Sequence, residues 1–183
     1  MSEKIEKLII LGASGSGKDF LAKRLVKKGL KPCLKWTTRP MRLGEEQGVT
    51  YNYVTDKVFL ESISNNEFIT YQTFNVTPVN SDPQTWYYGI TKESFESSQI
   101  FIMTPGEYNS LQLSEEQRKN CFVVYLDIDR SVRESRLHNR EDKNDSIKRR
   151  LDADEIDFQG FSDYDLKVTD PDFTAEDIWD LMD

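Results

Sequence analysis

Apolar and polar residues follow two patterns along this chain. Short charge-free runs occupy positions 8–11, 99–103 and 121–126, and such apolar runs are typical of strands that are buried on both faces of a sheet. Between them, apolar residues recur at every third or fourth position, which is the spacing of a helix with one buried side. Strands that alternate with helices predict an α/β fold with a mostly parallel sheet and helices on both of its faces.

The same patterns predict the remaining elements. Helices are expected at 18–28, 57–66, 130–139, 146–158 and 174–182, with short helices after Thr91 and Pro105, and strands are expected at 31–36, 67–74, 86–90 and 166–168. Thr91 and Asp129 are expected to cap the helices that follow them. Between 51 and 90 the strands are short and alternate in polarity, so we expect a small antiparallel insertion on the main sheet.

The segment 7–19, KLIILGASGSGKD, carries the clearest functional motif. Its apolar strand ends at a glycine, and the glycines allow a tight turn that brings backbone N–H groups up to an anion. Lys18 adds a cation where the next helix begins with the positive end of its dipole. Strand, GxxxxGK and helix in this order predict a P-loop that binds ATP phosphates, with Lys18 as a catalytic group. The expected ATP-binding residues are Gly12, Ala13, Ser14, Gly15, Ser16, Gly17, Lys18 and Asp19.

Asp19 departs from the usual form of this motif. The position normally carries a serine or threonine hydroxyl that binds Mg²⁺, whereas here it carries a carboxylate. A carboxylate also binds Mg²⁺, directly or through water, although it adds negative charge near the phosphates. Asp19 is therefore the candidate metal ligand.

Composition narrows the class of protein. A chain of 183 residues with 37% hydrophobic content buries one core, so a single domain over 1–183 is expected. Its net charge of −8 disfavours a nucleic-acid partner. The sequence contains no apolar run of about 18 residues and no apolar leader, so we expect a cytoplasmic protein without a membrane partner.

Cysteine and histidine usage limits the possible chemistry. Cys33 and Cys121 lie beside or within apolar runs without metal-ligand spacing, so both are expected to be buried, reduced thiols. His138 is the single histidine of the chain, which excludes a histidine-rich metal site and most histidine-based acid–base schemes. Phosphoryl transfer needs no such base, because its catalysis is mostly positioning and charge neutralisation.

Six further motifs follow the P-loop in order. They are TTRPMRLGE at 37–45, GVTYNYV at 48–54, NNEFI at 65–69, YYG at 87–89, RLHNR at 136–140 and IKRRL at 147–151. Together with the P-loop they resemble the guanylate kinase family, whose substrate-binding signature is TTRxPRxGExxGxxY. The resemblance implies a P-loop NTPase fold with three α/β/α layers. It further implies a core of 1–36, 91–135 and 151–183, an antiparallel insertion at 37–90 that binds the nucleoside monophosphate (NMP), and a LID at 136–150.

The first of these motifs supplies the candidate residues for the acceptor phosphate. Arg39 and Arg42 are three apart, which lets two guanidinium groups bind one phosphate, and a tyrosine hydroxyl donates to the same oxygens. By resemblance, the acceptor monophosphate is held by Arg39, Arg42, Tyr51 and Tyr88. Glu45 is expected to order their loop.

The LID motifs supply the candidate catalytic arginines. Arg136 and Arg140 lie on one face of a predicted helix, and Arg150 belongs to the next helix. By resemblance, these three neutralise charge on the transferring phosphoryl group. Without the resemblance, arginines on a helix face indicate a solvated surface. Arg149 is adjacent to Arg150, so a one-residue shift of the alignment exchanges them.

The base-recognition positions differ from the family pattern. Guanylate kinases read guanine with a serine, a glutamate, a second serine and an acidic residue. By resemblance, these positions are occupied here by Lys35, Thr70, Ile90 and Met103. A carboxylate accepts from the N1–H and the amino group of guanine, which Thr70 cannot do. The phosphate-binding residues are therefore kept and the guanine-binding residues are not.

Three functional hypotheses follow. The leading one is an ATP-dependent NMP kinase of the guanylate kinase superfamily, with ATP and Mg²⁺ as cofactors and a (deoxy)nucleoside monophosphate of non-guanine or modified base as a candidate acceptor. The second is a kinase of GMP or dGMP with rearranged base contacts. The third is a catalytically weak binding module, against which Lys18 and the LID arginines argue, because a module needs no ATP site. We expect a monomer or a homodimer.

Overall fold

The computed structural model describes residues 5–76, 82–111, 113–139 and 147–181. Its strands are β1 (Lys7–Gly12), β2 (Trp36–Thr37), β3 (Asn52–Tyr53), β4 (Phe68–Val76), β5 (Gln84–Thr91), β6 (Ile100–Met103), β7 (Cys121–Leu126) and β8 (Leu166–Val168). Its helices are α1 (Lys18–Lys27), α2 (Asp56–Ser64), α3 (Lys92–Ser97), α4 (Pro105–Asn109), α5 (Glu115–Lys119), α6 (Arg130–His138), α7 (Ile147–Asp157) and α8 (Ala175–Trp179). Across these described ranges, no helix is both long enough and apolar enough to span a membrane.

The chain divides into two units. The first is formed by Met1–Pro32, Gln99–Asn109 and Leu113–Asp183, and the second by Cys33–Ser98 and Ser110–Gln112. The predicted insertion 37–90 falls within the second unit. Its function as an NMP-binding part, and the function of 136–150 as a LID, stay predictions.

The first unit contains a four-stranded sheet in the order β6-β1-β7-β8, in which all neighbouring strands are parallel. β1 lies between β6 and β7, so Leu8 is opposite both Ile100 and Phe122. All six residues of β1 are buried, as expected for a central strand that is covered on both faces. The predicted parallel α/β sheet is confirmed.

The core of the first unit packs α1 and α8 against β1. Leu8 and Ile10 of the strand share a cluster of buried residues with Leu21 and Leu25 of α1 and with Ile178 of α8. Leu21 and Leu25 are four apart and therefore lie on the same side of their helix. Burying each such side chain contributes roughly 1.5–3 kcal/mol, so the cluster fixes α1 directly behind the loop that follows β1.

The second unit contains a mixed sheet in the order β3-β2-β5-β4. β5 is antiparallel to both β4 and β2, whereas β2 and β3 are parallel. The β2–β5 and β4–β5 pairs are antiparallel, as predicted for the insertion, and the short parallel pair of β2 and β3 is an addition to that prediction. The long connection 38–51 allows it, because parallel neighbours need a crossover of about a dozen residues or more.

The β4–β5 hairpin has two different faces. Phe59 of α2 covers one face, where its ring stacks on Phe68 with centroids 4.4 Å apart and lies 5.3 Å from the ring of Tyr87. The opposite face carries Tyr88, whose ring is 5.5 Å from that of Phe74. Because successive side chains of a strand point to opposite faces, one face belongs to the core of this unit and the other can meet a ligand.

Helix caps agree with the sequence at two positions. The Thr91 hydroxyl accepts from the N–H of Ser94 at 3.1 Å where α3 begins, and Asp129 accepts from the N–H of Ser131 at 2.8 Å where α6 begins. Both caps are as predicted. The short helix α5 was not predicted from apolar spacing, because it has no buried residue, and it begins with a capping box at Ser114.

Two local predictions around Pro32 are wrong. The predicted strand 31–36 consists of an isolated bridge at Pro32 followed later by β2, which begins at Trp36. Proline has no N–H to donate, which explains why the pairing does not continue. Cys33, in this irregular stretch, is half-buried rather than buried, whereas Cys121 is buried as predicted.

Candidate active site

The phosphate-binding loop (12–19) connects β1 to α1 and needs glycine at two positions. Gly15 and Gly17 have φ angles of 79° and 105°, in the left-handed region that other residues rarely adopt. At Gly15, a Cβ would also lie 2.7 Å from the backbone oxygen of Arg133. The loop therefore turns tightly with its backbone close to α6, which is the geometry of an anion-binding loop.

Lys18 is the first residue of α1 and turns back over the loop. Its Nζ donates to the backbone oxygens of Gly12 at 2.5 Å and Ala13 at 3.1 Å. Carbonyl oxygens do not cancel the ammonium charge, so these bonds position a cation that attracts an anionic ligand. The N-terminal end of α1 adds the positive end of a helix dipole at the same place.

Arg136 of α6 contacts the same loop. Its Nη1 donates to the oxygens of Gly15 at 3.3 Å and Ser16 at 3.2 Å, and its Nη2 donates to the oxygen of Pro171 at 2.7 Å. These bonds hold a guanidinium beside the loop, where a charge-neutralising arginine would act. Its catalytic role stays a prediction.

The two other predicted LID arginines are Arg140 and Arg150. Arg140 lies outside the described residues. Arg150 is half-buried near the start of α7, and its neighbour Arg149 is exposed. Arg150 is thus the more buried of the two side chains. Its role in catalysis stays a prediction.

A cleft of about 600 Å³ opens beside the loop in the first unit. Its lining comes from the loop, α1, α6 and the chain around the start of α8, namely Gly15, Gly17, Phe20, Arg24, Arg136, Asn139, Pro171, Asp172, Phe173, Thr174, Ala175 and Glu176. Phe20 is 52% exposed, and the guanidinium of Arg24 lies 4.3 Å from the centre of its ring. A purine can stack on an exposed ring and a flat guanidinium, so the cleft fits the adenosine of ATP with its phosphates on the loop.

Asp19 fits the way in which proteins hold Mg²⁺ beside phosphates. It is exposed in the first turn of α1, directly after Lys18. In the part of the chain that the structure describes, no group of three or more His, Cys, Asp and Glu side chains could hold a metal ion. Magnesium often binds through one or two carboxylates together with phosphate oxygens and water, and a single carboxylate beside the loop suits that arrangement.

The second unit contains a buried ion pair between Arg39 and Glu45. The guanidinium donates from Nη1 at 2.9 Å and from Nη2 at 2.8 Å to the two carboxylate oxygens, and only 4% of the Arg39 side chain is exposed. Glu45 also accepts from the backbone N–H of Arg42 and from the hydroxyl of Tyr53, each at 2.7 Å. The hydrogen bonds from Arg39 lower the pKa of Glu45 to about 2, so the carboxylate is ionised at neutral pH.

Two tyrosines complete this group, which we call the acceptor clamp (Arg39, Glu45, Tyr51 and Tyr88). The Arg39 guanidinium lies 5.5 Å from the centre of the Tyr51 ring, and that ring lies 6.1 Å from the Tyr88 ring. Burial raises the pKa of the Tyr88 phenol, with Arg39 opposing the shift, so its hydroxyl can donate to a phosphate at neutral pH. Arg42 is exposed and joins the group through its backbone N–H.

The predicted base-reading residues offer little hydrogen bonding. Thr70 and Ile90 are opposite each other on β4 and β5, and both are buried. The Thr70 hydroxyl is 2.5 Å from that of Ser110. Lys35 is half-buried before β2, and Met103 is buried in β6 of the first unit. The isoleucine side chain has no hydrogen-bonding group, and methionine has only a weak acceptor. Of these four side chains, only those of Thr70 and Lys35 can make strong hydrogen bonds.

Sequence reasoning misses three residues that the structure places at these sites. Phe20 has a usable signal, because it is a large apolar residue outside the buried stripe of α1. Tyr53 has a weaker sequence signal, since it is a second tyrosine two positions after Tyr51. Asp154 of α7, whose carboxylate accepts from the backbone N–H of Ser14 at 2.8 Å, has none.

A parallel sheet whose central strand leads into a glycine-rich loop and a lysine-headed helix is the arrangement of P-loop nucleotide-binding proteins. The chain matches the model of the family described as "Guanylate kinase" over residues 4–182, and it belongs to that family.

Individual relatives agree with this assignment. The chain is 29% identical over 173 residues to a guanylate kinase of Rickettsia conorii, covering 91% of this chain and 72% of that protein. It is 30% identical over 175 residues to a guanylate kinase of Mycoplasma genitalium, covering 90% and 69%. The crystal structure of guanylate kinase from Anaplasma phagocytophilum superposes with a TM-score of 0.66 at 18% identity, covering 98% of this chain and 85% of that one, and shows the same fold.

These findings confirm the family resemblance and the α/β P-loop fold. The chain is a nucleoside monophosphate kinase that uses ATP and Mg²⁺. The binding-module hypothesis therefore gives way to an enzyme. The roles of the individual site residues stay predictions.

Lys18→Ala should lower kcat by about a hundredfold or more, because removing a group that stabilises transition-state charge typically costs that much. Alanine is favourable in a helix, so the variant should remain folded. Steady-state ATP turnover measures the loss, and Lys23→Ala, on the exposed side of α1, is the matched control. Wild-type turnover in folded Lys18→Ala would show that this loop is not the ATP site.

Asp19→Ala should raise the Mg²⁺ concentration needed for half-maximal activity, and Asp19→Ser should restore much of the loss, because a hydroxyl also binds Mg²⁺ at this position. A magnesium titration of the initial rate measures the shift. Asp56→Ala, which removes an exposed acid from the first turn of α2, controls for lost surface charge. If Asp19→Ala titrates like the wild type, Asp19 is not a ligand.

Proposed function

We propose that this enzyme transfers the γ-phosphate of ATP from the phosphate-binding loop to a nucleoside monophosphate held by the acceptor clamp. The observation that carries the proposal is the bidentate pair of Arg39 and Glu45, with its two hydrogen bonds of 2.9 and 2.8 Å. A buried guanidinium that is already oriented loses little freedom when it binds an anion. With Tyr51 and Tyr88 in the same group, the pair suits the tetrahedral phosphate of an acceptor.

Each group then has a part in a reaction that depends on position and charge. Lys18 and Arg136 place positive charge at the donor phosphates. The acceptor clamp orients the phosphate of the acceptor so that one of its oxygens can attack in line. Mg²⁺, held in part by Asp19, supplies further charge neutralisation when it is bound.

The two candidate acceptors rest on different observations. The curated relatives are named guanylate kinases, which favours GMP or dGMP. The residues Lys35, Thr70, Ile90 and Met103 favour a non-guanine base, because none of them carries a carboxylate for the guanine N1–H and amino group. Leaving such groups unpaired in a buried site costs about 1–3 kcal/mol for each, so guanine needs an acceptor from another residue.

Gln72 is a residue that can supply this acceptor. It is opposite Tyr88 in the β4–β5 pairing and therefore shares the ligand face of the hairpin. Its carboxamide both donates and accepts, so it can pair with the C=O and N–H edge of guanine, thymine and uracil, and, after turning over, with the amino and ring-nitrogen edge of adenine and cytosine. Lys35 only donates, which favours a carbonyl over an amino group. We therefore expect these keto bases to be preferred over adenine and cytosine.

A coupled assay with ATP and a panel of GMP, dGMP, dTMP, dUMP, CMP and AMP tests the proposal. We expect kcat/KM for the best keto-base acceptor to exceed that for AMP and CMP by about tenfold or more. Gln72→Ala should lower kcat/KM for that acceptor without changing the KM for ATP. Thr73→Ala, on the other face of β4, is the matched control and should leave kcat/KM unchanged.

The outcomes separate the two candidates. If GMP or dGMP has the highest kcat/KM, the guanine acceptor is supported. If dTMP or dUMP has it, the non-guanine acceptor is supported. A highest kcat/KM for AMP or CMP contradicts the role given to Lys35. Transfer to none of the six acceptors contradicts the proposed function itself.

A further inference from the structure

Asp154 attaches α7 to the phosphate-binding loop. Its Oδ2 accepts from the backbone N–H of Ser14 at 2.8 Å and lies 3.8 Å from Nη1 of Arg133. The exposed fraction is 19% for the Asp154 side chain and 7% for that of Arg133. This hydrogen bond joins two parts of the chain that are 140 residues apart, so it limits the movement of the loop.

Arg133 of α6 supports the same loop from its backbone and its side chain. Its Nη1 donates to the oxygen of Ser14 at 3.5 Å, and its Nε donates to the oxygen of Ile128 at 2.9 Å. Its own backbone oxygen lies where a Cβ on Gly15 would be 2.7 Å away. Both polar groups of the Ser14 backbone are thus held, one by α7 and the other by α6.

Asp154 differs from the other acidic residues of its helix. Asp152 and Glu155 bind Arg130 of α6 at 2.7 and 2.6 Å, so these two acids join α7 to α6 rather than to the loop. Asp154 is four residues after Arg150, so the two lie on the same side of α7. A displacement at Asp154 would therefore also displace Arg150.

We propose that Asp154 is a positioning residue for phosphoryl transfer. Its bond to Ser14 sets the backbone of the phosphate-binding loop and, through α7, the position of Arg150 relative to that loop. The inference rests on the proposed transfer reaction. It predicts a loss in the chemical step rather than in acceptor binding, because the acceptor clamp belongs to the second unit and makes no use of Asp154.

Four variants test the inference. Asp154→Ala removes the acceptor, whereas Asp154→Asn keeps an oxygen for the Ser14 N–H and removes the charge. Asp152→Ala and Glu155→Ala are the matched controls, because each removes a carboxylate of α7 that binds α6 instead of the loop. Steady-state kinetics with the best acceptor of the panel give kcat, the KM for ATP and the KM for the acceptor.

We expect Asp154→Ala to lower kcat by about tenfold to a hundredfold, the usual effect of misplacing a catalytic group by an ångström, with the acceptor KM unchanged. Asp154→Asn should recover most of the loss, and both controls should stay within about threefold of the wild type. The inference is overturned if Asp154→Ala behaves like Glu155→Ala. It is also overturned if Asp154→Asn is as impaired as Asp154→Ala, since the hydrogen bond would then not be the reason.

Amide hydrogen exchange of Ser14 in the wild type gives a second, independent measurement. The inference requires this amide to be protected, and rapid exchange would overturn it even if Asp154→Ala fails to fold. The same measurement separates the two proposals. A wild type that transfers phosphate to no acceptor but has a protected Ser14 amide would refute the proposed function while leaving the contact of Asp154 in place.

Discussion

The burial of β1 is the constraint on which the first unit depends. All six residues of this strand are buried between β6 and β7, so the strand cannot shift without opening the sheet on both sides. The phosphate-binding loop starts at its carboxyl end, where ligands of open parallel sheets bind. Leu21 and Leu25 then fix α1 against the same strand. Apolar packing therefore places the loop and the helix dipole at the end of the sheet where an anion is expected to bind.

Both candidate phosphate sites hold an arginine with a carboxylate. In the second unit, Glu45 orients Arg39 in a bidentate pair, and in the first, Asp154 lies beside Arg133 and binds the loop backbone. A buried charge is tolerated only when it is paired, and the pairing also fixes its geometry. Groups that are fixed before a phosphate arrives need no reorganisation when charge develops, which is a main source of enzymatic catalysis.

The features that could be predicted from the sequence are those that depend on residues close together in the chain. The strand 8–11, the GxxxxGK loop and the caps at Thr91 and Asp129 are set by neighbouring residues, and the sequence pattern indicates them. The strand predicted at 31–36 fails because Pro32 removes a donor that an apolar pattern does not record. Asp154 could not be found in this way, since it binds Ser14 across 140 positions and sits among other acids on a polar helix. Family motifs point to the residues that are expected to touch phosphate, but not to the residues that hold those side chains and loops in position.

In the proposed function, the acceptor clamp supplies most of the affinity for the acceptor, and contacts to the base decide which base is preferred. Titration calorimetry of the preferred monophosphate, of its nucleoside and of ribose 5-phosphate tests this division directly. We predict that removing the phosphate weakens binding by at least about tenfold more than removing the base does, a difference of at least about 1.4 kcal/mol. A nucleoside that binds as tightly as its monophosphate, or a ribose 5-phosphate that does not bind, would contradict the account.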